Sequence, residues 1–231
     1  MSITKLGDVR KEDVGTVGGK AANLGELIGM GMPVPDGFVI SDPVDIFQNI
    51  RESYRELGAE FVAVRSSGIA EDGLTASMAG QHDTYLDLFN SPKFVVPAIR
   101  KCFESVNNPR AVAYREENGI TEDRIAVIVQ RMIDPLYSGV LFTADPVDGD
   151  TTKMEMEWVM GTGEKLVSGE TIPASTQWLK HFMPAVPKGS QCLPHLALEI
   201  EGHFGCPQDI EWCVDKEYKL WILQARPITT L

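Results

Sequence analysis

The chain has 231 residues, 43% hydrophobic and 23% charged, a balance that suits a globular protein with one large domain or two small ones. A net charge of −12 argues against general nucleic-acid binding, which needs a basic surface, but allows a mononucleotide held by a few local cations and a metal ion. No apolar run approaches the ~20 residues that span a bilayer and no signal-peptide pattern opens the chain, so we expect a cytoplasmic protein without membrane contact.

The first half of the sequence alternates helical and strand-like patterns. Apolar residues at helical spacing predict helices over 20–30, from Pro43 to about residue 57, and over 92–106 and 109–118. Short apolar runs bounded by turn residues predict strands over 38–40, 61–65 and 85–88.

The second half is richer in strands. Strands are predicted over 125–133, 138–143 and 153–160, followed by a helix over 193–204. A hairpin closes the chain, with strands over 209–214 and 219–226 and a loop over 215–218. Helices interspersed with hairpin-connected strands predict an α+β fold in two lobes.

The closing hairpin carries a polar face. A four-residue loop pairs Asp209 with Gln224 and Glu211 with Ile222, and directly opposed residues share a face of a sheet. Asp209, Glu211, Gln224 and Arg226 are therefore predicted to project together. The opposite, apolar face is predicted to hold Ile210, Trp212, Val214, Trp221, Leu223 and Ala225.

That polar face has two interpretations. Carboxylates beside an amide oxygen can hold Mg²⁺, and an arginine beside them can clamp a phosphate. The alternative is a solvent-exposed polar strand face with one salt bridge at its rim. The hairpin pattern alone leaves both open.

Two further segments could bind phosphate. Gly18 and Gly19 precede a helix start with Lys20, an arrangement that suits an anion but lacks the residues of a Walker A loop. Taken alone it is equally well a helix start with a solvated lysine. Arg65 ends a strand and is followed by two serines and a glycine turn at Gly80, which can cradle phosphates or form a structural ion pair with nearby acids.

In this order, the motifs resemble the N-terminal ATP-grasp nucleotide-binding domain of the phosphoenolpyruvate synthase and pyruvate phosphate dikinase family, which includes rifampicin phosphotransferase. The resemblance covers nearly the whole chain. Its stretches are VGGKAANLGE at 17–26, PVP at 33–35, AVRSS at 63–67, AED at 70–72, SMAGQ at 77–81, VQRMI at 129–133, SGVLFT at 138–143, GTGE at 161–164, DIEW at 209–212 and QARP at 224–227.

The resemblance implies a role for each matching residue. Lys20, Arg65 and Arg226 are the expected phosphate-binding cations. The remaining expected contacts are Gly80 and Thr84 in a loop over the phosphates, Gln130, Arg131, Met132 and Ile133 in a hinge strand that reads adenine through its backbone, and Glu211 and Gln224 as metal ligands with Asp209 beside them. The expected ligands are ATP and Mg²⁺, bound by a single ATP-grasp domain over 1–231 with lobes of about 1–120 and 121–231.

The resemblance also implies a reaction. We expect the ATP β-phosphoryl group to pass to a histidine on a separate domain or subunit, leaving AMP, with another subunit binding the final acceptor. The family's phosphohistidine domain has no counterpart in this sequence. The alternatives are a non-catalytic ATP-sensing module and a self-contained kinase or ligase that yields ADP. The spacings from Ile40 to Ala63 and from Thr176 to Leu196 look shorter than in the family, which predicts a trimmed lid over the nucleotide.

Overall fold

Residues 3–43, 46–69, 83–118, 124–163 and 172–229 are described by the structure, a computed structural model. The chain divides into two compact units, one of Met1–Met30 with Pro35–Met132 and the other of Gly31–Val34 with Ile133–Leu231. The division falls at Met132, later than the expected lobe boundary at 120, because a strand over 125–131 pairs within the first unit. Among the described residues, no helix combines the length and apolar character needed to cross a membrane.

The first unit contains an antiparallel sheet of five described strands. In chain order its elements are β1 (Ile3–Lys5), α1 (Val14–Gly29), β2 (Gly37–Ile40), α2 (Ile46–Leu57), β3 (Phe61–Gly68), β4 (Thr84–Phe89), α3 (Pro92–Glu104), α4 (Pro109–Asn118) and β5 (Ile125–Arg131). The strand order is β1-β2-β5-β3-β4, so β5 and β3 lie at the centre. β5 has four β-branched residues in seven, as expected for a strand covered on both faces, whereas β3 has two in eight.

One face of this sheet contributes to a hydrophobic core of the unit. Val62 and Val64 of β3 and Val127 and Val129 of β5 are fully buried there, together with apolar residues of α2 and α3. Burial of each such side chain contributes roughly 1.5–3 kcal/mol. Helix α1 contacts the opposite face of β3 near Ser67, so the polar end of β3 faces the start of α1.

The second unit contains another antiparallel sheet of five described strands. Its elements are β6 (Pro135–Phe142), β7 (Lys153–Met160), β8 (Ala174–Leu179), α5 (Leu193–Phe204), β9 (Gln208–Asp215) and β10 (Leu220–Pro227), and the strand order is β10-β9-β6-β7-β8. Segment 31–34 joins this unit because Pro33 O accepts a hydrogen bond of 2.8 Å from Ile222 N. Helix α5 contacts β9 and ends at Gly205, whose φ of 73° is the left-handed conformation that suits a glycine at a helix end.

Candidate functional site

Lys20 lies just after a break in α1. Gly18 has φ 80° and ψ 164°, so the helix is interrupted there and restarts at Gly19. A Cβ atom on residue 18 would lie 2.3 Å from Ser67 O, which leaves glycine as the residue that fits. Lys20 is only 7% exposed, and its Nζ donates to Ser66 O at 3.3 Å. The expected phosphate-binding lysine is therefore a buried cation held beside the end of β3.

Arg65 and Thr84 lie opposite each other on neighbouring strands. The β3–β4 pairing contains a register shift between Val62 and Val64, and Asp87 on β4 has a positive φ of 53° there. The shift places Thr84, instead of Tyr85, directly across from Arg65, so their side chains share a face. Gly80, the other predicted loop residue, lies outside the described residues.

The two serines after Arg65 serve the scaffold. Ser66 Oγ donates to Asp83 O at 3.1 Å, and Ser67 Oγ accepts a hydrogen bond of 3.0 Å from Ala21 N. Both residues are buried. Their hydroxyl groups thus bond to protein backbone groups, so the expected direct cradling of a phosphate by these hydroxyls has little geometric support.

The predicted adenine-reading segment is tightly tied to its own unit. Gln130 Nε2 donates to Pro35 O at 3.0 Å, Arg131 N to Asp36 O at 2.8 Å, and Met132 N to Phe61 O at 3.0 Å. Ile133 belongs to the second unit. Two of the backbone N–H groups in this segment are therefore already used within the protein.

The predicted register of the closing hairpin is wrong. β10 pairs Ile222 with Trp212, and a bulge at Leu223 then shifts the register, so that Gln224 pairs with Glu211 and Arg226 with Asp209. The extra residue reverses the facing of everything after it. Without it, Gln224 and Arg226 would share a face with Ile210 instead of with the two carboxylates.

The bulge also changes the predicted apolar face. Ile210, Trp212, Val214 and Ala225 are buried as predicted, but Trp221 pairs with Cys213 and lies on the opposite face, while Ile222 takes its place in the core. Trp221 Nε1 donates to Asp215 Oδ2 at 2.9 Å instead. A four-residue loop with uniform pairing could not anticipate this exchange.

Asp209 and Arg226 form an ion pair within the polar face. Arg226 Nε and one terminal guanidinium nitrogen both donate to Asp209 Oδ2, at 2.9 and 2.7 Å. Asp209 Oδ1 is buried and has no hydrogen-bond partner. Asp209 and Gln224 are 8% and 2% exposed, and Glu211 and Arg226 are half-buried. The face is therefore less exposed than the alternative interpretation expects, although it carries a salt bridge, as that interpretation also expects. Burial raises the pKa of Asp209, against the opposing effect of Arg226.

Two acids on β7 extend the same face and were missed in the sequence. Across the paired strands, Asp209 lies in one row with Glu155, and Glu211 lies in the next row with Glu157. Burial raises the pKa of Glu155, and the neighbouring Glu157 and Asp145 raise it further. The signal was the alternation of glutamate and methionine over 154–157, which predicts one polar and one apolar strand face.

The polar face fits a magnesium ion. An unpaired buried carboxylate oxygen at Asp209, a second carboxylate at Glu211 and an amide at Gln224 supply the oxygen ligands that Mg²⁺ prefers. Among the described residues, no group of three His, Cys, Asp or Glu side chains could hold a metal by itself. A metal on this face would therefore complete its coordination with oxygens of other kinds, from the Gln224 amide, phosphate or water.

The two antiparallel sheets with their helices define an ATP-grasp fold. The chain is similar to D-alanyl-alanine synthetase A of Vibrio cholerae, with a TM-score of 0.52 and 12% identity over 91% of this chain and 58% of that one. It is also similar to N5-carboxyaminoimidazole ribonucleotide synthetase in its ADP complex, with a TM-score of 0.52 and 10% identity over 92% of this chain and 45% of that one. At such identities the likeness concerns the fold alone.

The chain belongs to the family described as pyruvate phosphate dikinase, AMP/ATP-binding domain, whose model matches residues 42–191 and 188–231. It is 33% identical to a probable phosphoenolpyruvate synthase of Archaeoglobus fulgidus, over 100% of this chain and 42% of the relative. It is 30% identical to rifampicin phosphotransferase of Bacillus cereus, over 97% of this chain and 35% of the relative. The chain thus spans less than half the length of these relatives and is an ATP-binding domain of their kind.

The alignment with the Archaeoglobus fulgidus relative runs over 319 positions, although this chain has 231 residues and is wholly covered. That relative therefore carries inserted residues that this chain lacks.

Proposed function

We propose that this chain binds Mg²⁺–ATP and presents the β-phosphoryl group to a histidine on a separate domain or polypeptide, leaving AMP. The observation that carries the proposal is the polar face of β9 and β10. A bulge at Leu223 brings Glu211 and Gln224 opposite each other and Asp209 opposite Arg226, within a chain of dikinase-type family membership. A phosphohistidine-bearing protein and an acceptor-binding subunit are the proposed partners.

Each candidate residue has a task in this proposal. Lys20, Arg65 and Arg226 bind phosphate oxygens and offset their charge, and Thr84 lies beside Arg65 to contact the same phosphates. Asp209, Glu211 and Gln224 hold Mg²⁺, which supplies charge neutralisation at the phosphates when bound. Catalysis by this chain is then positioning and electrostatic stabilisation, with no covalent intermediate on its own side chains.

The adenine contact is assigned to the end of β5. Because the N–H groups of Arg131 and Met132 already donate to Asp36 and Phe61, a carbonyl oxygen of segment 130–133 accepts the hydrogen bond from the adenine amino group. Gln130 supports this segment by bonding to Pro35.

Transfer of the β-phosphorus of ATP to a protein tests this proposal. The purified chain is incubated with Mg²⁺, β-labelled ATP and an extract of its source organism, and proteins are examined for acid-labile, base-stable label. We expect label on a second polypeptide and formation of AMP. Glu211→Gln is expected to lower the labelling rate about 10²–10³-fold, since it removes one charged ligand from the site.

Controls separate the alternatives. Glu199→Gln removes an exposed carboxylate of α5 that contacts His195, and it is expected to leave labelling unchanged. ADP as the product would replace the proposal with a self-contained kinase or ligase. ATP binding without any labelled protein would favour an ATP sensor. Normal labelling by Glu211→Gln would overturn the metal-site assignment.

A further inference from the structure

We propose that Ser67 is a positioning residue for Lys20, because its hydroxyl fixes the restart of α1 and thereby holds the Lys20 ammonium beside the end of β3. This inference rests on the proposed function, in which Lys20 binds the phosphates of ATP. In this proposal Ser67, a residue of β3, caps the restarted helix in place of a side chain at Gly18.

The restart of α1 lacks a local cap. The first N–H groups of any helix have no partner within the helix and are normally satisfied by a side chain at the N-cap position. Here the N-cap position is Gly18, which has no side chain. Ser67 Oγ, from β3, accepts the hydrogen bond of Ala21 N at 3.0 Å in a buried position. Ala21 is the third residue after the break, where an N-cap side chain would act.

Close packing fixes the same contact from the other side. A Cβ atom on residue 18 would lie 2.3 Å from Ser67 O and 2.5 Å from Ser67 Oγ. The backbone at Gly18 therefore rests directly on Ser67. The hydrogen bond and this contact together leave little freedom for the first turn of the restarted helix.

Lys20 is held at both of its ends. Its backbone lies in the helical turn that Ser67 caps. Its Nζ donates at 3.3 Å to the carbonyl oxygen of Ser66, the residue before Ser67 on β3. Because the ammonium group is buried, water cannot replace a hydrogen bond that the protein fails to make. The position of the ammonium group therefore depends on these protein contacts.

The Lys20 ammonium donates to a neutral backbone group, the carbonyl oxygen of Ser66 near the end of β3. Burial, with a further contribution from Asp83, raises the pKa of the neighbouring Cys102 thiol to about 12, so that side chain stays neutral near pH 7. Ser67 therefore positions a cation that the adjacent thiol does not neutralise.

The first test is a double-mutant cycle on Mg²⁺–ATP affinity, measured by calorimetry with Ser67→Ala, Lys20→Met and the double variant. We expect Kd to rise about tenfold in Ser67→Ala and about a hundredfold in Lys20→Met. The double variant should match Lys20→Met, because Ser67 acts through Lys20. A purely structural serine would weaken binding equally in both backgrounds, and that result would overturn the proposal.

Ser105→Ala is the matched control for this cycle. Ser105 is an equally buried serine of the first unit, and its Oγ donates to Cys102 O at 2.7 Å, near the end of α3. Its removal deletes one buried hydrogen bond without touching the start of α1. We expect Kd for Mg²⁺–ATP to change by less than about twofold.

A second measurement needs no nucleotide. The rate at which an amine-reactive acylating reagent modifies Lys20, followed by peptide mass spectrometry, reports how firmly the buried ammonium is held. We expect Ser67→Ala to raise this rate about tenfold, since local opening of the first turn exposes the amine, and Ser105→Ala to leave it unchanged. An unchanged rate in Ser67→Ala would overturn the proposal even if phosphoryl transfer is confirmed. A raised rate supports it even if transfer fails.

Discussion

The two units assemble their candidate residues in different ways. In the first unit, Lys20 comes from a helix and Arg65 from a strand, and neutral contacts between Gly18 and Ser67 join the two elements. In the second unit, the four candidates of the polar face lie on two paired strands, and an ion pair joins Asp209 to Arg226. The arrangement in the first unit therefore depends on the small volume of residue 18, and the arrangement in the second unit depends on the charges of Asp209 and Arg226.

A register shift is nevertheless common to both. On β4 the shift near Asp87 sets Thr84 opposite Arg65, and on β10 the extra residue Leu223 sets Arg226 opposite Asp209. In each pair the uninterrupted register would bring a different residue to the candidate face. Bulges are often found beside active sites because they re-aim side chains in this way.

The largest effect is expected from a change of volume in the first unit. Gly18→Ala places a Cβ against Ser67 O and forces an L-residue into a positive φ. We expect a loss of about 3 kcal/mol in the free energy of unfolding, from left-handed strain and overpacking. The melting temperature, measured by circular dichroism, should fall by about 6–12 °C. The affinity for Mg²⁺–ATP should fall as well.

Gly15→Ala is its matched control. Gly15 lies in the same helix, and a Cβ there meets no atom within 4 Å. We expect unchanged or slightly raised stability, since alanine favours the helix. The cost of Gly18→Ala should also change little with pH near neutrality, because the atoms that clash, the new Cβ and Ser67 O, do not titrate. A pH-dependent cost would contradict the view that packing alone governs this contact.

The sequence predicted regular elements well and register poorly. Strand β7 and helices α4 and α5 begin and end at the predicted residues, since each has a clear period and marked ends. The exchange of Trp221 for Ile222 in the core was not predictable, because both are large and apolar and only the bulge decides between them.

Other misses have a similar cause. Strand β8 shows one buried side chain, Trp178, so its sequence lacks the alternation that marks a half-buried strand. The role of Ser67 was missed because its partner, Ala21 N, is a backbone group 46 residues away. For the candidate site, sequence motifs named the residues, whereas the contacts that hold them required the structure.

A change of charge in the second unit is expected to have the next largest effect. The folded-state pKa of Asp209 is raised by burial, so the folded protein binds this proton more tightly than the unfolded chain does. As pH rises from about 4, the usual range for aspartate, ionisation of Asp209 costs the wild type stability. Asp209→Asn escapes that cost, so its melting temperature relative to the wild type should rise with pH.

Binding should move in the opposite direction. Asp209→Asn is expected to weaken Mg²⁺–ATP binding about tenfold at neutral pH, because a charged ligand is lost. Asp134→Asn removes an exposed carboxylate that pairs with Lys216, and it should change neither property, since exposed ion pairs contribute little. A variant at Asp209 that lost stability steadily as pH rose would show that the ion pair with Arg226 outweighs the burial of the carboxylate.

The smallest effect is expected at Asp145, where the sign is reversed. Asp145 Oδ1 accepts hydrogen bonds from Val147 N and Asp148 N, at 2.8 and 3.1 Å, and these bonds hold the pKa of the carboxyl below its usual value. Stability from this group is therefore present above about pH 4 and is lost as pH falls through the lowered pKa. Asp145→Asn should have a melting temperature below that of the wild type at neutral pH, because the charged acceptor is lost. The difference should be small, since an asparagine oxygen can still accept both bonds, and it should vanish in acid. Thermal melts of both aspartate variants over the same pH series test this contrast directly. Burial should dominate at Asp209 and hydrogen bonding at Asp145, so the melting temperatures relative to the wild type should change with pH in opposite directions. A change in the same direction for both variants would refute the contrast.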